Sequence, residues 1–245
     1  MLKLTHIFRH GANLLFPPEC VYCQASLVGK SSGIPLCTPC WTTCFPALGP
    51  VCERCGAPVP EHLSRESCRL CSDSQFHFQW VRGLGIYDGP LAAFIHRLKE
   101  YQHQSLALTA GRLLARQFAA EIRGAGAELI VPLPMHWLRR LTRGVNSPDL
   151  VAETLGSELA LPVAYDLLRA RKMTARQGTL SPPERRRNMR GAFGVSTAYN
   201  IKGARLVLVD DVLTTGATAS EAAWALKQAG AEAVVVVVVA RGIGD

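Results

Sequence analysis

The 245-residue sequence has no cysteine after Cys71, although its first 71 residues contain nine. It has no apolar run close to the roughly 20 residues that a membrane-spanning helix requires, and its run from Ala233 to Ala240 has the length of a buried strand. Acidic residues are few: 19 Asp and Glu against 27 Lys and Arg give a net charge of +8. These features exclude membrane channels, collagens, coiled coils and mucin-like stalks, and the positive charge favours anionic partners such as phosphates, nucleotides or nucleic acid.

The N-terminal 16 residues lack the features of a signal peptide. Basic residues interrupt each apolar stretch, and no small-residue cleavage site follows. We expect a short docking helix at residues 1–16, with a membrane-surface or targeting segment as the alternative. We also expect a cytoplasmic protein with no transmembrane segment and with reduced thiols.

The cysteines form four CxxC pairs and one single residue. One CxxC turn can hold one side of a metal ion, and a second turn about a dozen residues later completes a tetrahedral thiolate site. The spacing therefore predicts two structural zinc sites, with crossed pairing, a disulfide framework or an iron–sulfur cluster as the alternatives. The expected sites are Cys20, Cys23, Cys37 and Cys40, and then Cys52, Cys55, Cys68 and Cys71, with Cys44 left over as a buried apolar residue or as a substitute for Cys40.

Residues after position 78 have the pattern of an α/β domain. Short apolar segments alternate with amphipathic ones, which predicts a mostly parallel sheet covered by helices on both faces. We expect a Cys-rich double zinc-ribbon domain with the short helix at 1–78 and the α/β domain at 79–245. The predicted strands are Trp80–Tyr87, Glu128–Leu133, Val163–Leu168, Arg205–Val209 and Ala233–Ala240, and the predicted helices are Pro90–Tyr101, Gln104–Arg123, Pro148–Leu159 and Thr218–Ala229. The basic segment 169–190, almost without apolar residues, is predicted to be functional or mobile.

The most informative segment is VLVDDVLTTGAT, residues 207–218. An apolar strand delivers Asp210 and Asp211 at its C-terminal end, where open α/β sheets bind ligands. A small, hydroxyl-rich turn then opens into a helix, and the backbone N–H groups there favour a phosphate. The two carboxylates of the acid pair would repel a phosphate, and they suit sugar hydroxyls, or Mg²⁺ held mainly through water. The segment predicts a ribose 5-phosphate site, the alternative being an acidic turn with a Thr N-cap. The turn comprises Thr214, Thr215, Gly216, Ala217 and Thr218.

At these residues the sequence resembles the type I phosphoribosyltransferases, whose signature is an acid pair followed by a Thr-Gly-x-Thr turn. The resemblance implies that Asp210 and Asp211 are the catalytic acids that hold the ribose hydroxyls of phosphoribosyl pyrophosphate (PRPP). It implies that the turn at 214–218 binds the 5-phosphate. It further implies displacement of pyrophosphate at the anomeric carbon, with Mg²⁺ bridging the leaving group.

Other segments narrow the resemblance to the ComF (GntX) family, over essentially the whole chain. That family has a zinc-ribbon head and a phosphoribosyltransferase-like domain, and the resemblance implies a role in competence and DNA uptake. The matching segments are Tyr87-Asp-Gly89 with Lys99, Val131-Pro-Leu133 with Arg139 and Arg143-Gly-x-Asn146, and Arg171, Thr174, Gln177, Leu180, Arg187-Asn188 and Phe193. The sequence departs from the family at Val145 and Ser147, where Phe and Gln are usual, and at Glu100, where an apolar residue is usual.

Positive charge is concentrated between residues 131 and 190, where 11 Lys and Arg stand against 5 Asp and Glu. Arg139, Arg143 and Lys172 are candidate ligands of the diphosphate, and Lys99 is a candidate phosphate contact. The alternative for each is a solvated surface charge.

Two functions fit these observations. The first is a PRPP-binding protein that engages single-stranded DNA and the competence machinery, with Trp41 and Trp137 as candidates for base stacking. The second is an active Mg²⁺-dependent phosphoribosyltransferase acting on an unidentified acceptor. We favour the first, which the family resemblance implies, and the sequence names no acceptor for the second.

Overall fold

The computed structural model describes residues 17–28, 33–60, 68, 70–72, 74–136, 144–172 and 182–243. The predicted helix at 1–16 lies outside these residues. The helices are α1 Thr38–Cys44, α2 Gly89–Leu98, α3 Gln104–Gly124, α4 Ser147–Leu159, α5 Pro182–Met189 and α6 Ala217–Gln228. The strands are β1 Val81–Ile86, β2 Leu129–Pro132, β3 Leu168–Ala170, β4 Phe193–Val195, β5 Arg205–Leu213 and β6 Ala233–Arg241.

The main sheet has the strand order β1-β6-β5-β2, and each of its neighbouring pairs is parallel. Alternate residues of a strand point to opposite faces, so the sheet separates two cores. Val207 and Val209 pack in a core with α2, α3 and α4, whereas Leu206 and Leu208 pack in a second core with α6. This arrangement confirms the predicted α/β class with helices on both faces.

The predicted strand Val163–Leu168 is wrong. Val163 pairs in an isolated parallel bridge with Ile130, and the residues from 164 to 167 have no ladder partner in the described part of the chain. The chain then turns, and strand β3 begins at Leu168 and pairs antiparallel with β4. Ala164 and Leu167 are buried between these two points. Their apolar character therefore reflects core packing and not a continuous ladder.

Two further predicted boundaries differ from the structure. Strand β5 extends past Val209 to Leu213, because β6 continues beside it as far as Arg241. The basic segment 169–190 contains α5 and the end of β3, while its residues 173–181 lie outside the described ranges. In the described part of the chain, no helix is long and apolar enough to cross a membrane.

The two halves of the cysteine-rich head repeat one local structure. The Gln24 N–H donates to the Cys20 carbonyl at 2.8 Å, and the Gly56 N–H donates to the Cys52 carbonyl at 2.9 Å. Gln24 and Gly56 both adopt left-handed backbone, with φ of 62° and 67°. The first CxxC segment of each half thus closes in the same tight turn.

Candidate functional site

The acid pair lies within β5, just past the point where neighbouring strand β2 ends. Pro132 is the last residue of β2 and is aligned with Val209. Strand β6 continues on the other side, where Asp210 is aligned with Val238. Because β2 stops first, Asp210 and Asp211 face a cavity of about 160 Å³ at the carboxyl end of the sheet. The sequence placed the acids at the end of the strand, whereas the strand continues two residues beyond them.

Asp211 is held by two groups from the helices on its face of the sheet. Its Oδ2 atom accepts a hydrogen bond from Ser147 Oγ at 3.1 Å and lies 3.2 Å from Lys99 Nζ. Ser147 begins α4, and Lys99 is the C-cap of α2. Lys99, a candidate phosphate contact from sequence, is therefore brought to the acid pair.

Asp210 has a different environment, although it is the adjacent residue. Its Oδ1 atom accepts a hydrogen bond from the Asp211 N–H at 2.8 Å. Desolvation raises the pKa of Asp210 well above its ordinary value, and the charge of Asp211 raises it further. The Asp211 N–H and the Lys99 ammonium act in the opposite direction without cancelling the shift. Asp210 therefore holds a proton more readily than an exposed aspartate does.

The threonine-rich turn meets α6 at Gly216. Gly216 is the N-cap, with φ of 76°, and no side chain caps this helix end. The helix begins at Ala217 and has no acidic residue in its first turn. The first N–H groups of a helix have no acceptor within it, and the helix dipole places positive charge there. The turn thus has the backbone geometry and the local charge that bind phosphate.

Cavities lie on both sides of this turn. Thr218 lines the smaller cavity with the acid pair, whereas Thr215 and Ala217 line a larger one of about 590 Å³. Phe76 and Trp224 also line the larger cavity. Trp224 is 41% exposed, whereas the stacking candidate proposed from sequence, Trp41, packs against the first core. The other stacking candidate, Trp137, lies outside the described residues.

The basic candidates are only partly described. Lys172 lines the smaller cavity, and its Nζ donates to the Arg190 carbonyl at 2.8 Å. Arg139 and Arg143 lie outside the described residues. The structure therefore brings Lys172 and Lys99 to the acid pair and says nothing of the two arginines.

Ser147 was missed from sequence as a functional group, and Asn146 was named only as part of a segment that resembles the family. Asn146 is 5% exposed, and its Nδ2 donates to the Leu133 carbonyl at 3.1 Å, which fastens the start of α4 to the end of β2. Ser147 donates to Asp211. Ser147 was a visible departure from the family pattern, and that departure was the signal available.

The cysteines form two four-residue clusters, and in each cluster the sulfur atoms lie within 4.8 Å of one another. Zn–S bonds of about 2.3 Å in a tetrahedron imply sulfur separations of about 3.8 Å. The Cys23–Cys37 and Cys52–Cys71 sulfur atoms are 3.6 and 3.7 Å apart. The donor set therefore fits zinc. The clusters are Cys20, Cys23, Cys37 and Cys40, and Cys52, Cys55, Cys68 and Cys71, as sequential pairing predicted.

Cys44 belongs to the core and not to a cluster. It is 1% exposed, and burial raises the pKa of its thiol. Burial also acts to raise the pKa of Cys20, but hydrogen bonds from the backbone, chiefly at Cys37, lower it to about 6. Cys20 therefore favours the thiolate that binds metal. Burial and the neighbouring thiols raise the pKa of Cys40 and of Cys71, so the position of Cys44 outside the clusters, and not its pKa, distinguishes it from the ligands.

Comparison with known proteins supports both parts of this description. Residues 11–73 match the double zinc ribbon domain, and residues 147–245 match the phosphoribosyl transferase domain. Competence protein F of Haemophilus influenzae is 30% identical over 231 residues, which cover 91% of this chain and 96% of that protein. The chain belongs to the ComF family.

Other relatives agree with this assignment. DNA utilization protein YhgH of Escherichia coli K12 is 32% identical over 187 residues, covering 75% of this chain and 81% of that protein. A solved glutamine PRPP amidotransferase from B. subtilis is 22% identical and aligns with a TM-score of 0.37, covering 54% of this chain and 25% of that one. The ComF assignment therefore rests on the two sequence relatives and the two domain matches.

Proposed function

We propose that this ComF-family chain binds PRPP at the acid pair and the 214–218 turn, and that it acts in DNA uptake in the cytoplasm. One observation supports the proposal: Thr218, in the first turn of α6, and the two carboxylates line one cavity at the carboxyl end of a parallel sheet, and the uncapped start of that helix lies beside it. The turn would bind the 5-phosphate. Asp210 and Asp211 would accept hydrogen bonds from the ribose hydroxyls, which a phosphate alone could not donate.

The residues present also fit magnesium. Asp210 and Asp211 offer carboxylate oxygen atoms, which Mg²⁺ prefers, and the adjoining cavity can admit water. When bound with PRPP, Mg²⁺ would neutralise pyrophosphate charge. Lys172 and the two arginines at 139 and 143 would contribute further positive charge for the same group.

The role in DNA uptake is supported by family membership and by charge. The relatives are named competence protein F and DNA utilization protein. The net charge of +8 suits a polyanion, and Trp224 is an exposed aromatic ring beside the larger cavity. We propose single-stranded DNA and the competence machinery as partners, and a division between the zinc-ribbon and phosphoribosyltransferase-like domains at 78/79.

One observation favours an alternative, an active Mg²⁺-dependent phosphoribosyltransferase. The smaller cavity continues from the acid pair to an apolar wall that includes Met189, Ala192 and Phe193. A planar acceptor seated on this wall would lie beside the ribose. Displacement would then break the bond between the anomeric carbon and pyrophosphate and form one bond to the acceptor.

Calorimetry with Mg-PRPP tests the binding proposal. The Asp210→Asn/Asp211→Asn double variant should lose on the order of 100-fold in affinity or more, because hydrogen bonds to charged groups contribute about 1.5–3 kcal/mol each. The matched control is Asp166→Asn, at an exposed aspartate that bonds to Tyr199. If the double variant and the wild type bound Mg-PRPP with equal affinity, the acid pair would not be the binding site.

Two assays separate the candidate functions. Pyrophosphate release from Mg-PRPP, followed across a panel of nucleobases, should show no turnover if the chain is a binding protein. Single-stranded DNA should bind, and its affinity should fall steeply with salt. Turnover with one acceptor, without DNA binding, would show that the chain is a phosphoribosyltransferase and not a DNA-binding protein.

A further inference from the structure

Arg241, the last residue of β6, is a buried cation beneath the phosphate-binding turn. It is 4% exposed. Its Nη1 donates to the Leu213 carbonyl at 3.1 Å and to the carbonyls of Thr214 and Gly242. Across the described ranges, no carboxylate forms an ion pair with it. The guanidinium thus fixes the backbone at the start of the turn, with carbonyl oxygens as its partners.

The same guanidinium reaches the second four-cysteine cluster. Arg241 Nε donates to the Cys55 carbonyl at 2.8 Å. A second arginine, Arg82, donates from Nη1 to the Glu53 carbonyl at 3.1 Å and so holds the same CxxC turn on β1. One side chain therefore bridges a metal-ligand residue and the turn, across 186 positions of sequence.

Phe76 makes an independent contact between the same two features. Its ring packs against the apolar side of the second cluster and stacks on Phe78, with the centroids 4.6 Å apart. A Cβ atom added at Gly216 would lie 2.9 Å from Phe76 Cε1, so the ring abuts the turn directly. Phe76 and Arg241 thus connect the second cluster to the turn through separate contacts.

The first cluster is attached differently. Tyr22, within its first CxxC turn, stacks on Phe94 of α2 with the centroids 5.7 Å apart. Its carbonyl accepts a hydrogen bond from Arg97 Nη1 at 2.9 Å. The first cluster therefore packs on a helix, whereas the second one is connected to the turn through Arg241 and Phe76.

We infer that the second four-cysteine site supports the phosphate-binding turn, with Arg241 as the positioning residue between them. Metal binding would fix the position of the Cys55 carbonyl. Arg241, which donates to that carbonyl and to those of Leu213 and Thr214, would then hold the start of the turn in place. The inference rests on the proposed PRPP binding. Metal loading of the second site and Mg-PRPP binding are then linked, and each strengthens the other by the same factor.

Calorimetry on the zinc-loaded full chain tests Arg241 directly. Arg241→Lys keeps the charge but loses the fork that spans Cys55 and Leu213. It should bind Mg-PRPP at least about 5-fold more weakly, the lower end of typical coupling between sites, while retaining both zinc ions. The control is Arg205→Lys, at a half-exposed arginine that donates to the Ala125 carbonyl near the opposite end of the sheet.

A zinc-chelator competition at equilibrium gives the second readout, which a merely structural role would not move. Mg-PRPP should raise the chelator concentration needed to remove the second zinc from the wild type, in proportion to the factor by which that zinc strengthens Mg-PRPP binding. That increase should shrink in Arg241→Lys. Cys52→Ser lacks a ligand of the second site, so the step of zinc removal that is missing in this variant is the one that belongs to the second site.

The outcomes separate the inference from the proposed function. If Arg241→Lys retains both zinc ions and binds Mg-PRPP as tightly as the wild type, or if Mg-PRPP does not protect the second zinc in the wild type, the inference is overturned. If Arg241→Lys loses zinc or fails to fold, Phe76→Leu decides: weakened binding with both zinc ions present supports the link, and unchanged binding overturns it. Absence of Mg-PRPP binding by the wild type would refute the proposed function together with the inference.

Discussion

Replacing Asp210 by asparagine should stabilise the ligand-free protein and, at the same time, weaken PRPP binding. Burial and the neighbouring Asp211 raise the pKa of Asp210, so ionising this group costs folding free energy. Asparagine has no charge to desolvate, and its Oδ1 can still accept the Asp211 N–H. The Asp210 carboxylate, which would bind the ribose, therefore lowers the stability of the ligand-free folded protein.

The sign and size of the effect follow from linkage. Because the folded pKa of Asp210 lies above its unfolded value, its stabilising contribution is complete below the unfolded pKa and is lost as pH rises through the folded pKa. A tenfold difference in acid dissociation constant between the folded and unfolded chain corresponds to about 1.4 kcal/mol, and each kcal/mol changes the Tm of a chain of this size by roughly 2–4 °C. The advantage of Asp210→Asn should therefore be small at low pH and grow as pH rises.

Thermal unfolding of zinc-loaded, ligand-free protein across a pH series checks this prediction, with Mg-PRPP calorimetry beside it. Asp211→Asn is the control, because it removes a carboxylate that already has Lys99 and Ser147 as partners. That variant should gain less stability than Asp210→Asn, because it relieves Asp210 of a neighbouring charge but loses the ion pair with Lys99. A Tm for Asp210→Asn at or below that of the wild type at every pH would refute the reasoning.

Three other changes test separate parts of the description. Lys99→Met removes a cation that lowers the pKa of Asp210, so the pH midpoint of Mg-PRPP affinity should move upward in calorimetry, and an unmoved midpoint would count against the charge effect of Lys99 on Asp210. Gly216→Ala forces alanine into left-handed backbone against an aromatic ring, so the free energy of unfolding in denaturant should fall by about 1–2 kcal/mol or more. Gly124→Ala, into open space at a helix end, is its control, and equal losses would contradict the steric argument. Cys44→Ala should keep two zinc ions per chain by elemental analysis, and the loss of one would make Cys44 a ligand.

The regular parts of the molecule could be predicted from sequence, because local patterns encode them. The valine run gave β6 through its length and composition, and the CxxC spacing gave both cysteine clusters. The acid pair and the turn were identified because they are contiguous at 210–218. Their approach to one cavity follows from the general topology of parallel sheets.

Contacts between residues far apart in the sequence could not be predicted from local patterns. Ser147 meets Asp211 only because α4 packs across the end of β5. Arg241 follows the predicted strand Ala233–Ala240, and no local pattern indicates that it joins Cys55 to the turn. Val163–Leu168 failed as a strand because burial of its apolar residues in a core produces the same local composition as a ladder.

The most direct test of the central claim is a crystal structure of the zinc-loaded chain with Mg-PRPP. We expect the 5-phosphate to accept hydrogen bonds from backbone N–H groups of the 214–218 turn, with Asp210 and Asp211 on the ribose hydroxyls. A phosphate bound elsewhere, or a ribose out of reach of both carboxylates, would contradict it.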